Sequence, residues 1–519
     1  MNRTNSSFSV LCARLAGALA VTTALSAGFA SGSAQAAVPG IGGQTFNLVA
    51  SDGMQTQPDG ASIYTWGYGC ASTYTPNFVP ASVPAGAVGC PLWQVPGPTM
   101  VVTEGQPVTI TLTNNLPVAA GPTSIIFSGF SPTISGGVNG TLTQEAPTGA
   151  TITYTFTPTH PGTYAYHSGS NPELQVEMGL YGALIVLPAT TPTTCRATGS
   201  SFDGHPDFRL AASAYDHPQT CYDREYLFQL TEMDSTIHAA AQAQVQACAA
   251  ALTTAGVTSC PAISVKTEPY LPNYFLINGR SMPDDMDPPY APQYAHQPYN
   301  GNPHLHPTET MLIRQIAHGR IQHPLHIHGN HARVIARDGN MLLSPVDQKS
   351  FAGPLIFTFP TVSGLAVDAL FQWTGKGLNW DVYGHVAGDN TPCYPDANGY
   401  YTSASLPPAV PGVTPNYGEW CADHDKPIPI TPPDAQIVAN GLWYGGTPYL
   451  GLQTSPVGGK QFISTPLPPG TAIQNQSAGY AFMWHSHDER EITTNDVFPG
   501  GMMMMMIIDP PSAFIDETL

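Results

Sequence analysis

An all-β chain folded as two sandwich domains is what this sequence predicts, and three observations carry that expectation. Charged residues make up only 10% of the chain, while glycine and proline number 51 and 52, which suits a protein rich in turns. Thr, Val and Tyr are plentiful, and apolar residues alternate with polar ones at period two, as where Val108, Ile110 and Leu112 stand between threonines. Turn signals recur about every 8–12 residues, the rhythm of a sandwich.

The first 36 residues stand outside that pattern. Arg3 and Arg14 give a positive start, Leu15 to Ala30 is apolar with small residues, and Ala34-Gln35-Ala36 suits a small-x-small cleavage site. This predicts a secretory signal, and so an exported protein, periplasmic or extracellular once the signal is removed. No later stretch is long and apolar enough to span a bilayer as a helix. Of nine cysteines, Cys12 leaves with the signal. The other eight fall into sequence-local pairs, Cys70/Cys90, Cys195/Cys221, Cys248/Cys260 and Cys393/Cys421, which an oxidising compartment favours as disulfides. Losing Arg3 and Arg14 leaves 14 bases against 35 acids. That balance argues against nucleic acid or an anionic membrane as partner.

Residues 37–190 read as the first domain. Met100 to Asn114 is two strands about a glycine turn, Ile152 to Thr157 and Gly162 to His167 are a further pair, and Tyr181 to Leu187 is a buried closing strand. Residues 191–519 read as the second domain, with 191–300 a transition. Tyr226 to Thr231 and Tyr274 to Gly279 are its strands. Ile237 to Leu252 is a surface helix capped by Asp234 or Ser235, with Gly256 as a stop. Strands then follow at Thr310 to Ile316, Ala332 to Ala336, Ala369 to Trp373, Gly479 to His487 and Met502 to Ile508. Residues 375–478 form a long insertion dense in Gly, Pro, Asn and Tyr, which in a compact domain is usually a functional cover.

Two stretches carry the chemistry. His323-Pro-Leu-His326-Ile-His328-Gly-Asn-His331 and Trp484-His485-Ser486-His487-Asp488-Glu489 each hold the pattern His-x-His. On a strand, residues i and i+2 share a face, so two such strands side by side bring His326, His328, His485 and His487 together. Neutral imidazoles suit Cu, Zn, Ni or Fe, held at about 2.0–2.1 Å by rigid supports. Such a site should weaken below about pH 6.5, where free imidazole protonates. Asp488, Glu489 and Glu491 follow the second pair directly. They are candidates either to orient imidazoles or to donate protons, with solvated loop charges as the plain alternative. His304-x-His306 with His296 reads as surface polarity, and the five methionines from Met502 to Met506 as a buried strand more simply than as a copper relay.

Here the chain resembles the multicopper oxidases, which are built of cupredoxin domains. Gly162-Thr-Tyr-Ala-Tyr-His167-Ser168, Gly179-Leu-Tyr-Gly-Ala-Leu-Ile-Val186, His323-Pro-Leu-His326-Ile-His328-Gly and His485-Ser486-His487 through Gly501-Met502 stand in that family's order. The resemblance implies two cupredoxin-like Greek-key β-sandwich domains with a long loop insertion in the second. It implies copper, with His323 at the blue-copper position, Met502 as its axial-type partner, and His326 and His328 at positions of a three-copper cluster. Two-domain members often form homotrimers with sites between subunits, where His167 would meet the other histidines.

The departures are as telling. The first family motif falls at Ile126-Phe127-Ser128-Gly129, without histidines, and the second reads His167-Ser168-Gly169. Ser486 replaces the bridging cysteine, and Val497 stands where a further histidine is expected. A blue site needs a thiolate, which serine cannot supply. What remains suits one copper, or two, held by a subset of His167, His326, His328, His485 and His487, with His331 a further ligand or an outer partner. Three functions follow. One is an oxidoreductase using a small-molecule or metal-ion reductant and dioxygen. Another is a non-catalytic copper-binding or extracellular scaffold protein. The weakest is a zinc hydrolase with Glu489 or Glu491 as base.

Overall fold

The structure, a computed structural model, describes residues 38–79, 89–198, 207–383, 393–402, 418–424, 426, 446–449, 452–454, 460–462, 479–510 and 513–515. The secretory-signal segment lies outside these residues, as does much of 375–478. No described helix is long and apolar enough to cross a membrane.

Four sheets, stacked as layers, make up the body of the described chain. The outermost holds Ser62–Cys70, Thr45–Thr56, Val108–Asn114, Thr151–Phe156 and Thr133–Gly136 in that order. It faces a sheet containing Met100–Thr103, Tyr181–Leu187 and Gly162–His167, and between them lies a core including Leu48, Ile110, Tyr154, Trp66, Leu184 and Tyr166. The alternation of Val108, Ile110 and Leu112 with threonines is therefore the core and solvent sides of one strand. The two strands in 100–114, joined through Gly105 at φ +75°, enter different sheets.

The third layer runs Tyr274–Ile277, Arg224–Met233, Thr310–Ala317, Ala366–Gln372 and Ala332–Arg337. The fourth runs His304–Leu305, Met503–Ile508, Gly479–Ser486, His323–His326 and Thr358–Thr361. Phe228, Leu230, Ile313 and Phe371 from the third layer meet Leu325, Phe359, Phe482, Trp484 and Met504 from the fourth in a second core. Trp484 is its centre, edge-on to Phe371 at 5.4 Å and to Phe228 at 6.1 Å.

Layers two and three pack on each other, Val101, Ala165, Ala183 and Ile185 against Leu227, Ile316 and Ala366. This explains why Tyr181–Leu187 reads as an unbroken apolar run: both its faces are covered. A polar knot lies in the same junction. Thr163 and Tyr215 donate to the two oxygens of Asp368, both at 2.6 Å, and Arg314 reaches Thr163 Oγ1 and Glu225 at 3.0 Å.

The helix spans Ser235–Leu252, with Asp234 as cap accepting from Thr236 N–H at 2.9 Å. It packs its Ile237 and Ala241 into the core of the first sandwich, so it serves that unit rather than the second. All four sequence-local disulfides are formed: Cys70–Cys90, Cys195–Cys221, Cys248–Cys260 and Cys393–Cys421.

Candidate metal centre

Strand pairing decides which side chains meet. His323–His326 pairs antiparallel with Gly479–Ser486, setting His326 opposite His485 and Leu325 opposite Ser486. His487 extends the ladder by donating its N–H to the Pro324 carbonyl at 2.9 Å. Directly opposed residues share a face. His326, His328, His485 and His487 consequently lie on the outer face of the fourth layer, while His323, Leu325, Trp484 and Ser486 point inward.

On the outer face the imidazoles converge. The His326 ring centroid lies 4.8, 5.5 and 4.9 Å from those of His328, His485 and His487. His485 lies 5.3 Å from His328 and 5.7 Å from His487. An ion bound at about 2.0–2.1 Å stands about 3 Å from each ring centroid, so a tetrahedral set would space its rings about 5 Å apart. The ring spacings come near that measure, but the group of described side chains whose ligand atoms all lie within 4.8 Å of one another is Cys393, Glu419 and His424, its cysteine already in a disulfide, and not these four histidines. The ring orientations agree in two cases. His485 Nδ1–H donates to the Ser486 carbonyl at 2.7 Å, and His326 Nδ1 is held by Thr358 Oγ1 at 2.7 Å, which leaves Nε2 of each for a metal. Burial, and then the neighbouring imidazoles His328, His485 and His487, push His326 down to about pKa 4. Burial lowers His485 as well. Proton competition at His326 therefore begins near pH 4, well below the 6.5 expected of a free imidazole.

His323 takes another course. Fully buried between the layers, its Nε2–H donates to Glu232 Oε2 at 2.8 Å and its Nδ1–H to Glu491 Oε1 at 3.0 Å. Burial pulls its pKa down, but the hydrogen bonds and charges of Glu232 and Glu491 outweigh that and raise it to about 9. It is an imidazolium with no lone pair to offer. Ser486 Oγ–H donates to the second oxygen of Glu491 at 2.5 Å, and Met502 closes the group through its backbone, with its side chain in the core. The positions that resemble a blue-copper site thus hold an ion-paired network. Glu491, not Val497, stands beside His323; Val497 is 65% exposed on a loop. Glu232 carried no sequence signal, because it comes from a strand 91 residues away.

The remaining expected residues scatter. His167 faces the junction of layers two and three, its Nδ1–H on the Ser168 carbonyl at 2.9 Å and its ring near buried His318. Two sheets separate it from the outer-face histidines of the same chain. His331 is exposed with its ring on Phe357 at 4.9 Å, and Phe357 in turn touches His326 at 5.6 Å. Asp488 and Glu489 are exposed loop residues, Glu489 close enough to raise His485 slightly against its overall fall, while Glu491 is buried on the opposite face. His304 and His306 each pair with a carboxylate, Asp509 at 2.6 Å and Glu309 at 3.2 Å.

Residues 93–191 match a family model described as multicopper oxidase. No curated protein matches the chain. Similar solved structures include the multicopper oxidase mgLAC, at 15% identity over 90% of this chain and 85% of that one, TM-score 0.45. A blue copper oxidase from Nitrosomonas europaea matches at 15% identity over 89% and 85%, TM-score 0.44. Copper nitrite reductase from the same organism matches at 17% over 63% and 84%, TM-score 0.38. The likeness to the multicopper oxidases thus rests on residues 93–191, a part of the chain well short of half. Of the candidate histidines, only His167 falls inside that segment.

Proposed function

We propose that this is an exported copper protein whose ion is held by His326, His328, His485 and His487, and that it works as a copper-dependent oxidoreductase. The observation that carries the reading is the grouping of four imidazoles from two paired strands on one face, with neighbouring ring centroids 4.8–5.7 Å apart, so that modest ring rotation would bring their nitrogens onto one ion. Bound copper would supply one-electron exchange between Cu(I) and Cu(II). The chain's own part is to keep His326 unprotonated through burial, to fix two rings through Thr358 and the Ser486 carbonyl, and to leave His487 exposed for a small-molecule or metal-ion reductant and dioxygen. The four disulfides and the apolar N-terminal segment support export. A homotrimer seated on the outer face would cover Phe357 and enclose the site.

The scaffold reading keeps one specific support. The inner-face network places a serine and carboxylates, and no thiolate, behind the proposed site, so a long-range electron path has no thiolate there to run through. A hydrolase is less well supported, because Glu491 is turned away and engaged, leaving exposed Glu489 as base.

Copper analysis with an oxygen-consumption assay tests the proposal. The wild type should hold copper that the His326→Ala/His485→Ala variant lacks, show no intense blue colour, and consume oxygen with a phenol or metal-ion reductant. Copper equally retained in the variant would refute the site. Copper without turnover would move the function to the scaffold reading, and zinc with ester cleavage to the hydrolase.

A further inference from the structure

The five methionines from Met502 to Met506 do not share one environment. Met502, Met504 and Met506 are fully buried in the core with Trp484 and Phe482. Met503 and Met505 point the other way, to the outer face that carries the imidazoles. Their strand pairs with Gly479–Ser486 so that Met503 lies directly opposite His485 and Met505 directly opposite Met483. Met483 is two residues from His485 and shares its face. Three thioethers therefore form a patch that borders His485. Met483 and Met505 are half-buried, and Met503 is 7% exposed.

Core packing accounts for the even-numbered methionines and leaves these three unexplained. On a partly covered strand surface, β-branched and aromatic residues are the favoured occupants, and three unbranched sulfur side chains at adjoining positions are not. Opposed Cβ atoms stand about 4.5–5.5 Å apart and diagonal ones about 7–8 Å, and methionine has three rotatable bonds with which to turn its sulfur. Thioether sulfur is soft and neutral, and suits Cu(I).

We propose that Met483, Met503 and Met505 form a thioether site for Cu(I), contiguous at His485 with the imidazole site. Its position beside that site has meaning only if the copper reading above holds; its ability to bind Cu(I) does not depend on it. The full-length protein would be titrated anaerobically with Cu(I) against a chromogenic competitor, and sulfur neighbours counted by X-ray absorption at the copper edge. The wild type should show copper–sulfur scattering. The Met483→Leu/Met503→Leu/Met505→Leu variant should lose that signal and bind Cu(I) at least about tenfold more weakly, while keeping its Cu(II). Met to Leu nearly preserves volume, so the fold should stand. Met504→Leu, in the core, should leave the sulfur signal intact. Absence of sulfur scattering in the wild type, or its persistence in the triple variant, would overturn the proposal. A sulfur signal in a protein that holds no Cu(II) would uphold this site and defeat the imidazole one.

Discussion

His323 shows what a single side chain gains from its surroundings. An imidazole taken out of water loses its proton more readily, yet between Glu232 and Glu491 this one is held charged up to about pH 9. The folded pKa lies above the value of about 6.5 for an unfolded chain, so the stability it brings is complete below pH 6.5 and is lost as pH rises through 9. Its full size is about 3 kcal/mol. Unfolding midpoints in urea measured from pH 6 to pH 10 should fall in the wild type and stay flatter in His323→Gln. Equal slopes would mean the ring is not charged. Glu491→Gln should cost about 3–5 kcal/mol at neutral pH, because it strips one partner from a buried charge. The histidines themselves were legible from the sequence, but the carboxylates that claim His323 were not. Glu232 belongs to a distant strand, and Glu491 looked like one of three loop acids, two of which are indeed exposed.

At the level of strands, pairing register matters more than composition. A shift of one residue between His323–His326 and Gly479–Ser486 would exchange the inward and outward sets, placing imidazoles in the core and Trp484 in the open. The neighbouring strand Thr358–Thr361 contributes one hydroxyl, Thr358 Oγ1, which sets the His326 ring. Thr358→Val keeps the shape and removes that bond, so copper affinity should fall about 10–100-fold with the melting temperature little changed. An unaltered affinity would show that the ring needs no such guide. Strand positions were readable from alternation, as in 108–114 and 181–187, and the helix from its cap at Asp234. Which sheet each strand joins was not readable, because that depends on partners far along the chain: Met100–Thr103 and Val108–Asn114 are adjacent in sequence yet part company.

In the molecule as a whole, four layers pack face to face over successive cores, and the second and third are tied through Asp368, Thr163, Tyr215 and Arg314. The two sandwiches should therefore unfold together in calorimetry. Asp368→Asn, which removes the charge facing Arg314, should lower stability by about 3 kcal/mol or more and split the transition in two. Two transitions already present in the wild type would show the sandwiches to be independent. The layering also fixes how an outer-face ion can be reached. Behind it, both nitrogens of His323 and the hydroxyl of Ser486 are committed to carboxylates, so a thiol restored at position 486 alone would meet a glutamate instead of a metal. If the proposed copper sits on the outer face, a donor of electrons would have to come to the wall itself and touch the ion from outside.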